Sequence, residues 1–360
     1  MKAVEQYPLQ FFRTTPTKHV GVLATTRYQG SKYKILPWID FYTKNLRFNT
    51  VLDAFGGTGC VGYMYKKNGK QVFSNDSLKF NHYVGLALIE NKETTLTNGD
   101  LDFVLKKHSD IKYPSFIFDT FHDIYFMDEE NKWLDIIVTN IRKVRNMYKQ
   151  AIAYYALFQS CIIKRPYNLF HRKNLYIRTA EVERSFGNKK TWDTPFEEHF
   201  IRFVREANNA VFDNGKNNHA LCSDIFDVTI PKIDLVYIDT PYISANGVGV
   251  NYFDFYHFLE GIVFYDEWSK LIDESSKHKK IKNGKNEWCN KREIHSAFVR
   301  LFDKFRDSIL AVSYRDDGTP TVSELVHMLK KHKERVEVRE LDYKYVLSRG
   351  ESKEVLIVAQ

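Results

Sequence analysis

Two short stretches of this chain combine residue types and spacing able to do chemistry. Val51 to Gly59 is an apolar strand that breaks, after an acid, into a glycine-rich turn, and Leu235 to Ile238 is a second apolar strand that ends in Asp239-Thr240-Pro241-Tyr242. In the first, Asp53 would project at the carboxyl edge of a sheet, and Gly56-Gly57-Thr58-Gly59 would let the backbone turn tightly enough for a ligand to lie against it before a helix begins. The turn has neither the full G-x-G-x-x-G pattern nor the G-K-[ST] ending of a phosphate loop, so hydride transfer and nucleotide hydrolysis are both disfavoured. Asp76 follows at about twenty residues' distance, where a second-strand acid reaches a ribose diol. Its competing role is a helix N-cap ahead of Leu78. The first stretch therefore suits a nucleoside cofactor.

The second stretch suits a flat base that carries an amine. Asp239 sits at the mouth of its strand, where acids are caps or functional groups. Pro241 stiffens the turn and biases Thr240 toward an extended backbone, so the Thr240 carbonyl and the Asp239 carboxylate can converge on one small donor. An exocyclic amine offers two N–H groups to such a pair. Tyr242 supplies a π-face on which an extruded base can stack.

The elements around these stretches alternate as in a doubly wound α/β sheet. Strands are expected at Val51–Ala54, Gln71–Asn75, Asp234–Ile238, Ser308–Ser313, Arg335–Leu341 and Glu354–Ala359, and helices at Val61–Lys67, Leu78–Asn91, Arg292–Phe305 and Val322–Lys331. The two ends of the chain thus share one sheet. Residues 113–218 read differently: helical, aromatic and basic, with apolar residues at helical spacing over Met147–Ile163 and Pro195–Phe212. The expected organisation is a catalytic domain from residues 1–112 and 219–360, interrupted by an insertion over 113–218 with its own task. A second break, Asp273 to Asn290, is rich in lysine; it reads as a solvated loop or as a loop closing on a nucleic-acid backbone.

Composition narrows the classes further. A chain of 360 residues with 43% hydrophobic content can bury a sizeable core, and its net charge of +8 fits a polyanionic partner. No run is long enough to span a bilayer, and Met1 to Gln10 lacks the apolar core of a signal peptide, so a soluble, cytoplasmic protein is expected. Cys60, Cys161, Cys222 and Cys289 form no CxxC pair and no cluster with histidine, so neither zinc nor a disulfide framework is supported, and buried thiols are expected.

The boxes together are similar to those of the alpha-group, Dam-like adenine-specific DNA methyltransferases of restriction-modification systems. That family carries a D-P-P-Y box, a D-x-F-x-G-x-G cofactor box and an N-terminal R-Y-x-G-x-K element, in the alpha-group order with target recognition inserted between cofactor and catalytic boxes. Here they are Asp239-Thr240-Pro241-Tyr242, Asp53-Ala54-Phe55-Gly56-Gly57-Thr58-Gly59 and Arg27-Tyr28-Gln29-Gly30-Ser31-Lys32. Asn251–Glu260, Ala311–Pro320 and Tyr343–Ala359 also read like family segments. Thr240 departs from the pattern; its carbonyl stays available, but the loop loses one fixed φ.

The resemblance implies a Rossmann-like class I methyltransferase sheet and S-adenosylmethionine as cofactor, with no metal. It places Tyr28 and Lys32 near the methionine end, Asp53 and Phe55 around the cofactor, Asp76 at the ribose and Asp224 at the adenine amine, with Asp100 as a rival for the last role. It implies direct displacement, in which the adenine N6 attacks the sulfonium methyl and S-adenosylhomocysteine leaves. The implied substrate is duplex DNA, and the implied associate is a cognate restriction endonuclease. An RNA adenine or a protein glutamine is an alternative acceptor, and a catalytically impaired DNA-binding homologue is a third reading.

Target recognition is expected in the insertion. Lys164, Arg165, Asn168, His171, Arg172 and Asn174, with Asn188 and Lys189 further on, mix donors for phosphate or guanine with asparagines that can pair an adenine edge. Tyr252, Phe255, Tyr256, His257 and Phe258 could wall the base pocket or form core; no catalytic role is assigned to His257, because a protonated amine product loses its proton readily to water.

Overall fold

The structure is a computed structural model that describes residues 28–183, 189–244, 247, 249–343 and 352–360. Arg27 and Asn188 lie outside the described residues. Among the described residues the strands in chain order are β1 (Thr50–Asp53), β2 (Gln71–Asp76), β3 (His219–Cys222), β4 (Leu235–Ile238), β5 (Ile243–Ser244), β6 (Ile309–Arg315), β7 (Gly318–Thr319), β8 (Val336–Tyr343) and β9 (Ser352–Ala359). Seven of them form one sheet in the order β3-β2-β1-β4-β6-β9-β8. The first five run parallel, and β9 pairs antiparallel with both β6 and β8.

The strand sequences explain this arrangement. Central parallel strands are covered on both faces and read as unbroken apolar runs; all four residues of β4 are buried. Alternation within β1 separates the two layers, because Val51 packs into one buried cluster and Leu52 into the other. On the Val51 side lie the helices Cys60–Lys67, Lys79–Gly85, Met147–Ile163, Phe196–Ala210 and Tyr252–Val263. On the Leu52 side lie Ile294–Lys304 and Val322–Leu329.

The helical region between β2 and β3 shares its core with the sheet. Phe80 meets Phe158 edge-on at 5.7 Å, and the Tyr63 hydroxyl donates to the Ala210 carbonyl at 2.8 Å, so Met147–Ile163 and Phe196–Ala210 pack onto the helices that cover this face of the sheet. Helix Met147–Ile163 starts at Asn146, whose side chain accepts from the Tyr148 and Lys149 amides. Pro195 is the N-cap of Phe196–Ala210, one position before the first helical residue. The expected helix Leu78–Asn91 is divided, with an α-helix over Lys79–Gly85 and a π-helical turn over Leu86–Glu90.

The sheet reverses its strand order at β1, which has β2 on one side and β4 on the other. Both chemical stretches end at that reversal, on the carboxyl edge, where open α/β sheets bind ligands. No helix among the described residues is long and apolar enough to cross a membrane.

Candidate active site

A cavity of about 550 Å³ opens at the carboxyl ends of β1 and β4. The glycine turn forms its floor. Gly57 and Gly59 take φ of +50° and +70°, and Gly56 sits so close to β2 that an added Cβ would fall 2.8 Å from the Ser74 hydroxyl oxygen. Asp76 stitches the turn in place, one carboxylate oxygen accepting from the Gly57 amide at 2.9 Å and the other from the Leu78 amide at 2.8 Å. Asp76 lines the cavity and ties down the chain entering the next helix, although the N-cap position itself is taken by Leu78 and not by Asp76. Asp53 is buried beneath the turn and accepts from the Gly62 amide at 2.9 Å; burial pushes its carboxyl up to about 7, and Asp239 and Asp76 add to the rise.

Lys32 is buried, and its ammonium lies 2.9 Å from an Asp239 oxygen and 3.3 Å from the fully buried carboxylate of Glu354 on β9. Glu354 also accepts from the Ser313 hydroxyl at 2.8 Å. Asp239 keeps its side chain 20% exposed toward the cavity. Burial raises its carboxyl to about 6, Lys32 opposes the rise and Glu354 adds to it. A carboxylate held this way is mainly ionised at neutral pH and can accept a hydrogen bond from a donor in the cavity. The Thr240 hydroxyl is buried with no hydrogen-bond partner, so threonine in place of proline contributes a polar group that the protein leaves unsatisfied.

Aromatic residues line the rest of the cavity. Tyr28 stacks on Tyr256 at 4.4 Å and 3° and lies parallel to Tyr252 at 6.2 Å. Phe55 meets Trp288 edge-on at 5.2 Å, and Trp288 belongs to the lysine-rich break expected as a loop. Asn283, Lys285, Asn286 and Glu287 from that break line the cavity too, so the segment is a wall of the site. Asp224 reaches the same cavity, whereas its rival Asp100 is spent in the capping box of helix Asn98–Leu105 and an ion pair with Lys149 at 2.7 Å.

Tyr242 does not line the cavity in this conformation. Its ring is 5% exposed, packed in the buried cluster beside Ile243, with the Arg315 guanidinium carbon 4.9 Å from the ring centre. Tyr252 and Phe253 line the cavity instead, while Tyr256, His257 and Phe258 are core. His257 shares hydrogen bonds with the Phe170 carbonyl and the Tyr125 hydroxyl, and burial pushes it down to about 3.

The basic segment after helix Met147–Ile163 corrects its sequence reading in three places. Arg165 is 1% exposed, donates to the carbonyls of Tyr125, Leu169 and Arg172 and to the Asn174 side chain, and is pushed down to about 9 by burial. Lys164 is equally buried, bonded to the Trp192 carbonyl and paired with Glu130 at 2.8 Å, and Asn174 is consumed by Arg165. These side chains build the fold. Arg172 and Lys189 are exposed, and Asn168 and His171 are half-buried, with burial lowering His171 to about 4. Of the thiols, Cys60 and Cys161 are buried as expected, while Cys222 is exposed. No group of metal-ligating side chains exists among the described residues.

Sequence reasoning missed Glu354, Ser313, Trp288 and Arg315. Glu354 was legible only as part of an apolar strand, and no local spacing links it to Lys32, 322 residues away.

Comparison with known proteins agrees with this geometry. Residues 28–317 match the family model of the D12 class N6 adenine-specific DNA methyltransferases. The chain is 31% identical over 335 residues to the type II methyltransferase M2.HphI of Haemophilus parahaemolyticus, covering 91% of this chain and 94% of that one. It is 25% identical over 312 residues to M.NlaIII of Neisseria lactamica, covering 83% and 86%. It is also 25% identical to M.FokI of Planomicrobium okeanokoites, where the match spans 85% of this chain and 47% of the longer relative. With its acid-capped strands converging on one cleft at the sheet reversal, the chain belongs to the D12 class of N6 adenine-specific DNA methyltransferases.

Proposed function

We propose that the protein transfers the methyl group of S-adenosylmethionine to N6 of an adenine extruded from duplex DNA, at a specific site, in the cytoplasm and alongside a cognate restriction endonuclease. The observation that carries the reading is the placement of Asp239 at the end of β4, beside the glycine-turned cavity and paired with Lys32. The residues present suit the cofactor: a tight glycine floor for close backbone approach, and the carboxylates of Asp76 and Asp224 on the wall to accept from hydroxyl and amine donors.

Adenine's amine is delocalised into its ring and is a poor nucleophile. The Asp239 carboxylate and the Thr240 carbonyl accept its two N–H groups, drawing the nitrogen toward tetrahedral geometry and freeing its lone pair. Lys32 holds Asp239 ionised for that task, and Glu354 holds Lys32. S-adenosylmethionine, when bound, supplies the electrophilic methyl on its sulfonium. The protein's part is positioning and fixed electrostatics, and no covalent enzyme intermediate is needed. Arg172, Lys189 and the neighbouring exposed Lys190 are the side chains offered to DNA phosphates.

The test is incubation with labelled S-adenosylmethionine and plasmid, RNA or peptide, followed by sequencing of the plasmid with a method sensitive to methyladenine. Label in plasmid at one repeated adenine context is the expected result. Label confined to RNA or peptide would overturn the reading.

A further inference from the structure

Arg315 occupies a place the reaction needs. Strand β6 runs beside β4, with Val312 opposite Ile238, and Arg315 is the last residue of β6, three positions beyond that pair. The chain then turns back, and β7 pairs with β5, Thr319 opposite Ile243 and Gly318 opposite Ser244, immediately after Tyr242. The turn between them supplies Asp317, whose two carboxylate oxygens accept from Arg315 Nε and Nη2, each at 2.7 Å. That fork is planar and bidentate, the geometry that fixes a guanidinium most firmly. It lays Arg315 over the Tyr242 ring at 4.9 Å, with Nη1 donating to the Tyr242 hydroxyl at 3.4 Å.

We propose that Arg315 is a placeholder on Tyr242: in the free enzyme its guanidinium covers the aromatic face that the extruded adenine stacks on, and base entry displaces it. A guanidinium plane is a flat π-system of about a base's thickness, so it keeps the phenol ring in position and its face dry until the substrate arrives. Asp317 holds the guanidinium at the turn, and the β5–β7 pairing carries the same turn against the catalytic loop. Arg315 is thus a positioning residue that sets the balance between covered and base-loaded Tyr242.

The inference rests on the extruded-adenine reaction, and the experiment separates the two. Wild-type enzyme is first used to find the methylated adenine in plasmid; absence of methyladenine there would sink the reaction and leave Arg315 without a substrate to displace it. A duplex carrying 2-aminopurine at the adenine so found then reports extrusion by its fluorescence. Replacing Arg315→Ala removes the competitor for the ring and is expected to raise the extruded fraction at subsaturating enzyme by roughly fivefold to thirtyfold, the worth of a partly desolvated cation–π contact. Asp317→Asn, on an exposed turn, loosens the fork and should move the signal in the same direction by less, so the test survives if Arg315→Ala fails to fold. S-adenosylmethionine affinity is expected to stay at the wild-type value in both. Unchanged or weaker 2-aminopurine fluorescence in folded variants would overturn the proposal.

Discussion

The ionisation of Asp239 can be read directly from the acid limb of the pH–rate profile. Only the carboxylate accepts from the adenine amine, so kcat should rise as Asp239 loses its proton. With the carboxyl raised to about 6, about a tenth of the enzyme is competent at pH 5 and nearly all of it at pH 8. Lys32 is the main opposing influence, 2.9 Å away. Replacing Lys32→Met removes an opposite charge at contact distance, which raises a carboxyl by about 1–3 pH units and moves the midpoint to about 7–9. At pH 7 the competent fraction would then fall to between about half and about one per cent. Glu354→Gln removes a neighbouring negative charge, so its midpoint should move below 6, the opposite direction. The assay is single-turnover methyl transfer to plasmid at saturating S-adenosylmethionine from pH 5 to 9, which separates chemistry from weakened cofactor binding. A flat profile over that range, or a Lys32→Met midpoint displaced toward acid, would refute the role assigned to this pair.

Further outcomes are expected from the same geometry. Asp239→Ala should lower methyl transfer by at least about a hundredfold, the scale of losing a preorganised polar contact in the transition state, while DNA binding measured by anisotropy persists. Arg165→Met should destabilise the fold by about 3–5 kcal/mol in urea titrations, because the buried carbonyls of Tyr125, Leu169 and Arg172 and the Asn174 side chain lose their donor; normal stability with lost DNA affinity would show that Arg165 contacts DNA after all. Arg172→Ala and Lys189→Ala should weaken binding to all duplexes alike and each reduce the salt-dependence slope by about 1. Gly30→Ala places a Cβ against the Tyr252 hydroxyl at φ +78° and should weaken S-adenosylmethionine binding about tenfold by calorimetry.

The features most legible in the sequence were those fixed by neighbours along the chain. Buried strands such as Leu235–Ile238, the glycine turn and the acid at each strand mouth depend on local patterning, and the structure brings Asp53, Asp76, Asp224 and Asp239 to one cavity. Burial of a long polar side chain is set by contacts across the fold, and there the reading failed. Lys164 and Arg165 look like surface cations in a basic run, yet Glu130 and Tyr125 from distant segments, with Phe170 of the same run, enclose them. The stacking role of Tyr242 follows from its place after Pro241, whereas nothing local signals that a cation from β6 lies on its ring. Strand β3 escaped because His219–Cys222 is short, mixed in polarity and separated from its partner β2 by the whole helical region.

That last separation bears on how such enzymes diversify. Between Asp76 and His219 the chain makes an excursion of 142 residues before returning to pair strand with neighbouring strand. The entropy of closing a loop grows only logarithmically, so lengthening a crossover from about 30 residues to this size costs about 1.4 kcal/mol, small beside what the packed helices return. Most of the excursion is nonetheless committed, because Met147–Ile163 and Phe196–Ala210 roof the helices that lie on the sheet and share their core. Evolutionary licence is concentrated at the exposed positions of the stretch joining those two helices, Arg172, Lys173, Tyr176, Lys189 and Lys190 among them, where surface chemistry can drift while Lys164, Arg165, Asn174 and Arg178 stay buried in the fold. A graft that exchanges sequence preference between relatives should therefore cut inside that stretch, leaving both roofing helices with their original sheet.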